Sequence, residues 1–535
     1  MTSSPRTPPA KIFKYTLQNL TSWWKERFGT ELDNSKPQIS YILKYIDDGG
    51  VKTVVVENEY VDHDFLEDFA EYYVRCFHPY KRYCSRLHFF GVAFEEGDFH
   101  GLLASESEKI NPQILNDAYL GFVVVKPLPR TVVGRTCLKT GPKESLTKNF
   151  PTIRKYKVNF FGISLEINSL AFQEQDSVVA ACATSALWSA FHATGELFHH
   201  AIPSPVEITK LATQLPLNNN RSIPNKEGLR IEQMAHAVRK ISLEPFCVNA
   251  RDESFLKSSI YAYLRAKIPV VLAICLYNPN LNPWPRHAVT ITGFELGIQN
   301  LTSGFSGLLL TSSRINKIFV HDDGVGPFAS MEFDGMPVQI QQPGSSALTN
   351  YFSLTTPWGS GYRACPEWVL IPVYNKIRIT IEEIHAVIAL FDQIVQIIGQ
   401  APDQKVLFEW EIYLINVTDL KEEIFNTQNI ITEEKKRAFL LQNMPRFIWR
   451  AKARYGEKDA LDLFFDATDI EQGELFFCAL EYRGNVSTFL RAVFSDPAIN
   501  TMLINTALRA MQEARIDLSR ASQPTMKILE HFTRA

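Results

Sequence analysis

Residues 270–323 constrain the fold most. "VVLAICL" (270–276), "HAVTITGFEL" (287–296) and "KIFVHDD" (317–323) are short, apolar and rich in β-branched residues, and each reads as a strand. Loops carrying Gly, Ser and Pro separate them, notably "YNPNLNPWPR" (277–286). Ahead of them the period changes. From Val179 the apolar positions Val179, Ala183, Ala186, Leu187, Ala190 and Phe191 fall at helical spacing, and Gly195 follows as a stop. This predicts a helix with one buried stripe. Residues 155–172 alternate as one or two strands, and 207–215, 230–241 and 258–268 read as helices, the last ended by Pro269.

The flanks extend the same mixture. Residues 11–28 read as an amphipathic helix, 52–58 as a strand, 62–77 as a helix with Asp62 or Asp64 near its cap, and 86–94 and 118–128 as strands. Beyond 378 the pattern predicts a helix over 381–399, a strand over 405–417 and a hairpin over 460–482 turning at "EQG". A last helix over 495–516 has Asp496 as cap and Pro497 at its first position. The division expected is an N-terminal α/β region over 1–150, a central α+β domain over 151–378 and a C-terminal α+β domain over 379–535.

Composition excludes several classes. The chain has 535 residues, 45% hydrophobic and 21% charged, so it can bury large cores. Net charge is −3 with no long basic run, which implies no nucleic-acid partner. No window reaches the roughly 18 uninterrupted apolar residues of a spanning helix, so no membrane is expected. "AVIALFDQIVQIIG" (386–399) reads as a core helix. The N-terminus lacks an apolar signal core. The eight cysteines are scattered and form no CxxC pair, which disfavours a zinc ribbon and fits a reduced, cytoplasmic protein.

Chemistry concentrates at "QEQDSVVAACATSALWSAF" (173–191). Cys182 falls on the first turn of its helix, where the dipole favours a thiolate. Asp176 or Ser177 can cap that turn. Gln175, seven residues upstream, can donate an amide beside the sulfur. A nucleophilic thiol needs a base. His199 and His200 lie past a helix end, His236 within a helix, and His63 and His385 near helix starts, whereas His287 opens a strand behind an irregular loop. A third group must orient the imidazole. Asp322 follows Ile318 and Val320 on one strand face, while Asp323 points the other way unless the strand ends early. The rival class is a metal enzyme using "VHDD" (320–323) or "DHD" (62–64). Neither has paired-histidine spacing, and neighbours on a strand face opposite ways.

The order Cys, His, Asp resembles the papain-like cysteine peptidases, in particular the group that trims double-glycine leader peptides in bacteria, over about residues 155–375. In that group a Gln precedes the Cys helix, an apolar strand starts at the His and runs into Gly, and the next strand ends in an Asp beside Pro and Gly. Here these features look like Gln175, Cys182, "HAVTITGF" and "FVHDDGVGP". The Gln-to-Cys spacing leaves Gln173 open beside Gln175. The resemblance implies an α+β papain-like core, with the Cys helix packed on an antiparallel sheet carrying His and Asp. It implies Cys182 as nucleophile, His287 as general base and then acid, Asp322 as orienter and Gln175 as oxyanion donor. The reaction implied is hydrolysis of a peptide or isopeptide bond in a protein or peptide substrate, without a cofactor. Transglutamination and deamidation use the same groups, and a silent papain-like scaffold is the third class. The flanking regions are expected to select substrate or to receive an activator or partner protein, and 297–317 to form a flap or an ordinary hairpin extension.

Overall fold

The computed structural model describes residues 8–28, 36–107, 109–141, 147–176, 178–215, 223, 228–281, 284–298, 307–341, 348–398, 407–427, 431–456, 458–468, 475–482, 485–513 and 519–533. The fold is mixed α+β with antiparallel sheets. The chain divides into two compact units. One comprises Met1–Arg251, Lys267–Glu295 and Lys317–Pro372, and the other Asp252–Ala266, Leu296–Asn316 and Val373–Ala535. Residues 1–150 and the candidate site segments share the first unit.

In the first unit, β1 (Ala10–Lys14), β2 (Thr53–Tyr60), β3 (Cys84–Phe90), β4 (Tyr119–Val125) and β5 (Val133–Leu138) form an antiparallel meander in chain order. The helix expected over 11–28 is therefore shorter. Residues 10–14 pair along β2, and only α1 (Leu17–Phe28) is helical. The reason is local: Thr16 Oγ1 accepts the Asn19 N–H at 3.0 Å and starts the helix there. α1 and α2 (Pro37–Asp48) lay Leu20, Trp23, Trp24, Ile39, Ile42 and Ile46 on Val54, Val56, Leu87, Phe89 and Val123. Next, α3 (His63–Glu71) is capped by Asp62, which accepts from Phe65 N at 3.1 Å. It stops short of the expected residue 77, with a 3-10 turn over Tyr73–Arg75. α4 (Glu96–Leu103) and α5 (Pro112–Asp117) follow.

The second sheet of this unit contains β6 (Lys148–Asn149), β9 (Leu243–Asn249), β10 (Val270–Tyr277), β11 (Arg286–Leu296), β13 (Ile315–Asp322), β14 (Gly326–Glu332) and β17 (Arg363–Tyr374). Their order is β14-β13-β11-β10-β17-β9, with β6 on β11. Two hairpins stand apart, β7 (Arg154–Phe160) with β8 (Ile163–Ser169), and β15 (Val338–Gln341) with β16 (Leu348–Tyr351). The first turns at Phe161 and Gly162, both at positive φ (49° and 89°).

α6 (Cys182–Phe198) is not the one-striped helix expected, because Ala183 to Thr194 are all buried. Some of its polar groups are matched inside, while Ser185 Oγ and both His192 ring nitrogens are buried without a hydrogen-bond partner among the described residues. Thr184 Oγ1 meets Thr209 Oγ1 at 3.1 Å, and Ala186 O accepts from Thr290 Oγ1 at 2.6 Å. Nor does Gly195 stop it. The helix runs on to Phe198, and His199 ends it in the left-handed region (φ 59°). Gly195 serves contact instead, since a Cβ there would lie 2.8 Å from Ile202. α7 (Pro205–Thr213) and α8 (Ile231–Lys240) complete this unit.

The second unit has a sheet ordered β12 (Leu309–Leu310), β18 (Glu409–Asn416), β19 (Phe447–Tyr455), β20 (Lys458–Asp466), β21 (Phe476–Glu481). Its helices are α9 (Glu253–Arg265), α10 (Ile381–Ile398), α11 (Val417–Asn426), α12 (Glu433–Leu441), α13 (Asn485–Val493), α14 (Pro497–Glu513) and α15 (Ser522–Thr533). β20 and β21 are the hairpin read from the sequence, and its "EQG" turn lies outside the described residues. Of the 297–317 segment, residues 299–306 lie outside the described residues, while 309–310 pair in parallel with β18. Among the described residues no helix is long and apolar enough to cross a membrane.

Candidate active site

Cys182 is the first residue of α6, half-buried. The residue before it, Ala181, offers no side-chain cap, so the helix presents its opening N–H groups with the sulfur. The expected cap is displaced. Asp176 Oδ1 accepts from Val178 N (3.0 Å) and Val179 N (3.4 Å), which closes a turn ahead of the helix, and Ser177 lies outside the described residues. A further hold on Asp176 comes from Tyr73, whose hydroxyl donates to Oδ2 at 2.6 Å. The approach segment is pinned along β5. Phe172 exchanges main-chain bonds with Thr136, Glu174 N donates to Val133 O at 3.1 Å, and the Glu174 carboxylate takes Lys36 Nζ at 2.6 Å. Of the two glutamines, Gln175 is half-buried and Gln173 is buried, its Nε2 without a hydrogen-bond partner.

His287 stands near the start of β11, opposite Ile274 of β10. Its Nε2 meets Asp322 Oδ1 at 2.8 Å, and both side chains are buried, at 7% and 0% exposure. The Cys182 side chain lies near enough to the ring to help raise its pKa, so the imidazole has the thiol and the carboxylate as neighbours.

Charge settles which form the ring prefers. Burial disfavours imidazolium, but Asp322, Asp323, the bond to Asp322 and the nearby Cys182 side chain outweigh it, holding the His287 pKa well above the usual histidine value. Asp322 is itself saturated. Oδ1 also accepts Gly324 N at 2.9 Å, and Oδ2 accepts Trp358 Nε1 at 2.8 Å. The Trp358 ring packs edge-on to His287, with centroids 5.2 Å apart.

Asp323 does not turn away. β13 ends at Asp322 with a register shift against β14, and the chain bends. One Asp323 oxygen then lies 3.6 Å from His287 Nε2. Neither of its oxygens has a hydrogen-bond partner, and burial, with Asp322 beside it, pushes its pKa up to about 7 against the pull of His287. From α2, Gln38 Nε2 donates to the Asp323 carbonyl at 3.1 Å.

The two metal candidates separate. In "DHD", Asp62 and Asp64 pair with Arg135 at 3.3 and 3.1 Å, so a guanidinium fills their charge. In "VHDD", His321 points away, edge-on to Phe172 and Phe328. Instead His287, Asp322 and Asp323 bring ligand-type atoms within 4.8 Å of one another. Asp322 already accepts three hydrogen bonds there, as a carboxylate paired to an imidazole does. Trp358, Gln38 and Lys36 were missed from the sequence. A tryptophan in the Gly-rich loop "TTPWGSGYR" was the one available signal. No protein-family model matches the chain, and a search of curated proteins finds no match.

Proposed function

We propose that the chain is a papain-like cysteine peptidase that hydrolyses a peptide or isopeptide bond of a protein or peptide substrate in the cytoplasm. The observation that carries this reading is one cluster of groups: the α6 N-terminus with the Cys182 thiol, His287 beside it, and a buried Asp322 bonded to His287 and Trp358. Cys182 attacks the carbonyl as thiolate, favoured by the helix terminus and the imidazolium. The oxyanion forms against the Cys182 N–H and the Gln175 amide. His287 gives its proton to the leaving amine, then takes one from the water that releases the acyl group. Asp322 keeps the ring oriented and stabilises its charged form.

The test is alkylation of native protein with a limiting thiol reagent over a range of pH, read for each cysteine by mass spectrometry, in wild type and His287→Ala. Cys182 is expected to react fastest, to stay reactive in mild acid, and to lose that advantage without His287. A Cys182 as slow as the buried cysteines would overturn the reading.

A further inference from the structure

A second pair of thiols lies on the sheet itself. β10 and β17 run antiparallel with Cys275 directly opposite Cys365, and both are free. Ala364 exchanges both main-chain bonds with Leu354, on the far side of β17, at 3.0 and 2.8 Å. Cys365 therefore turns its own N–H and C=O toward β10. Such a hydrogen-bonded pair has Cα atoms about 5.5 Å apart and side chains on one face. A disulfide spans Cα separations of about 4.4–6.8 Å. Cys275 is half-buried, and its other neighbour across the sheet, Arg286, is exposed and reaches Glu367 at 3.2 Å, so this face admits small solutes.

We infer that Cys275 and Cys365 are a redox modification site, forming a reversible cross-strand disulfide with a peroxide-class oxidant. The peroxide oxidises the Cys275 sulfur to a sulfenic acid and leaves as water. The Cys365 sulfur then attacks it, and the displaced hydroxide takes the Cys365 proton as a second water. The net change joins two thiols and consumes one peroxide, and an external dithiol returns both protons and electrons. Registered Cβ atoms stand about 4.5–5.5 Å apart, against about 3.5–4.5 Å in a relaxed disulfide, so closure strains the strands and the bond is easily reduced. Burial raises both thiols, Cys365 to about 12, which slows their reaction with peroxide; exposure makes the half-buried Cys275 the entry sulfur, and adjacency favours the second step. The inference is independent of Cys182 chemistry.

The experiment treats full-length protein with hydrogen peroxide, blocks the remaining thiols and maps peptides by mass spectrometry. A peptide linked through 275 and 365 is expected. It should be released by dithiothreitol, absent in Cys275→Ser and Cys365→Ser, and retained in Cys182→Ser. Recovery of both cysteines as blocked free thiols, under peroxide that oxidises Cys182, overturns the inference. So does a link from either one to a different cysteine.

Discussion

Asp322→Asn is the most informative perturbation, because it changes one charge on a fully buried side chain that accepts three hydrogen bonds. The wild-type carboxylate accepts from His287 Nε2 at 2.8 Å, from Gly324 N and from Trp358 Nε1. Asparagine keeps one carbonyl oxygen and turns the other acceptor into a donor. A charge-assisted bond of this kind is worth about 2 kcal/mol. That is roughly one and a half pKa units on the imidazole, or about thirtyfold in the balance between the thiolate–imidazolium pair and the neutral thiol–imidazole pair. Asp323, 3.6 Å from the same nitrogen, offsets part of the loss. Cys182 alkylation near neutral pH is therefore expected to fall about ten- to thirtyfold in Asp322→Asn, and further in the double variant with Asp323→Asn. The direction with pH follows from the raised His287 pKa. In wild type the imidazolium persists above the ordinary histidine range, giving a rate plateau through neutrality. In Asp322→Asn the plateau drops, and the rate recovers only as alkali deprotonates the thiol directly. Stopped-time alkylation with mass-spectrometric readout measures this, with thermal melting as the folding control. An unchanged plateau in a folded Asp322→Asn protein would refute the argument.

Two more outcomes follow from the same neighbourhood. Trp358→Phe keeps an edge-on ring but removes the donor to Asp322 Oδ2, and should cost about 1–3 kcal/mol in urea unfolding and slow Cys182 alkylation; equal stability and equal rate would deny the tryptophan a role. His321 is buried with neither ring nitrogen bonded, and burial lowers its pKa to about 3. Because the folded value is below the unfolded one, the unfolded chain binds the extra proton, and stability falls as pH drops below about 6.5. At about pH 5 this residue alone costs about 2 kcal/mol, so His321→Leu should flatten the urea-derived stability between pH 7 and 5 relative to wild type.

What could be read from the sequence is what is local. Cys182, His287 and Asp322 each sit at the end of an element whose period is plain in the chain, so their order and settings were legible. Helix boundaries slipped where a side chain a few residues away decided them, as Thr16 does for α1. The full burial of α6 was hidden by its serines and threonines. They look like a solvent face, but Thr184 finds Thr209 and Thr194 finds His200 Nε2 at 2.8 Å. The partners at the start of α2 left no mark at all. Gln38 reaches the Asp323 carbonyl across 285 residues of sequence, and Lys36 reaches Glu174 across 138.

The turn that carries the acid shows why both kinds of information are needed. "HDDGVG" reads as a strand end beside glycines, and Gly324 and Gly326 do not have their φ in the left-handed region. Their requirement is space. A Cβ on Gly324 would lie 2.3 Å from the Trp358 ring, and one on Gly326 would lie 2.2 Å from the ring of Tyr41. The turn is therefore closed in by an aromatic from the 358 loop and one from α2. The Gly324 N–H, brought close by the first contact, donates to Asp322 Oδ1 beside His287. Asp322 is thus placed by packing from two distant segments as much as by its own strand, and α2, which supplies Tyr41 and Gln38, is a structural part of the candidate site.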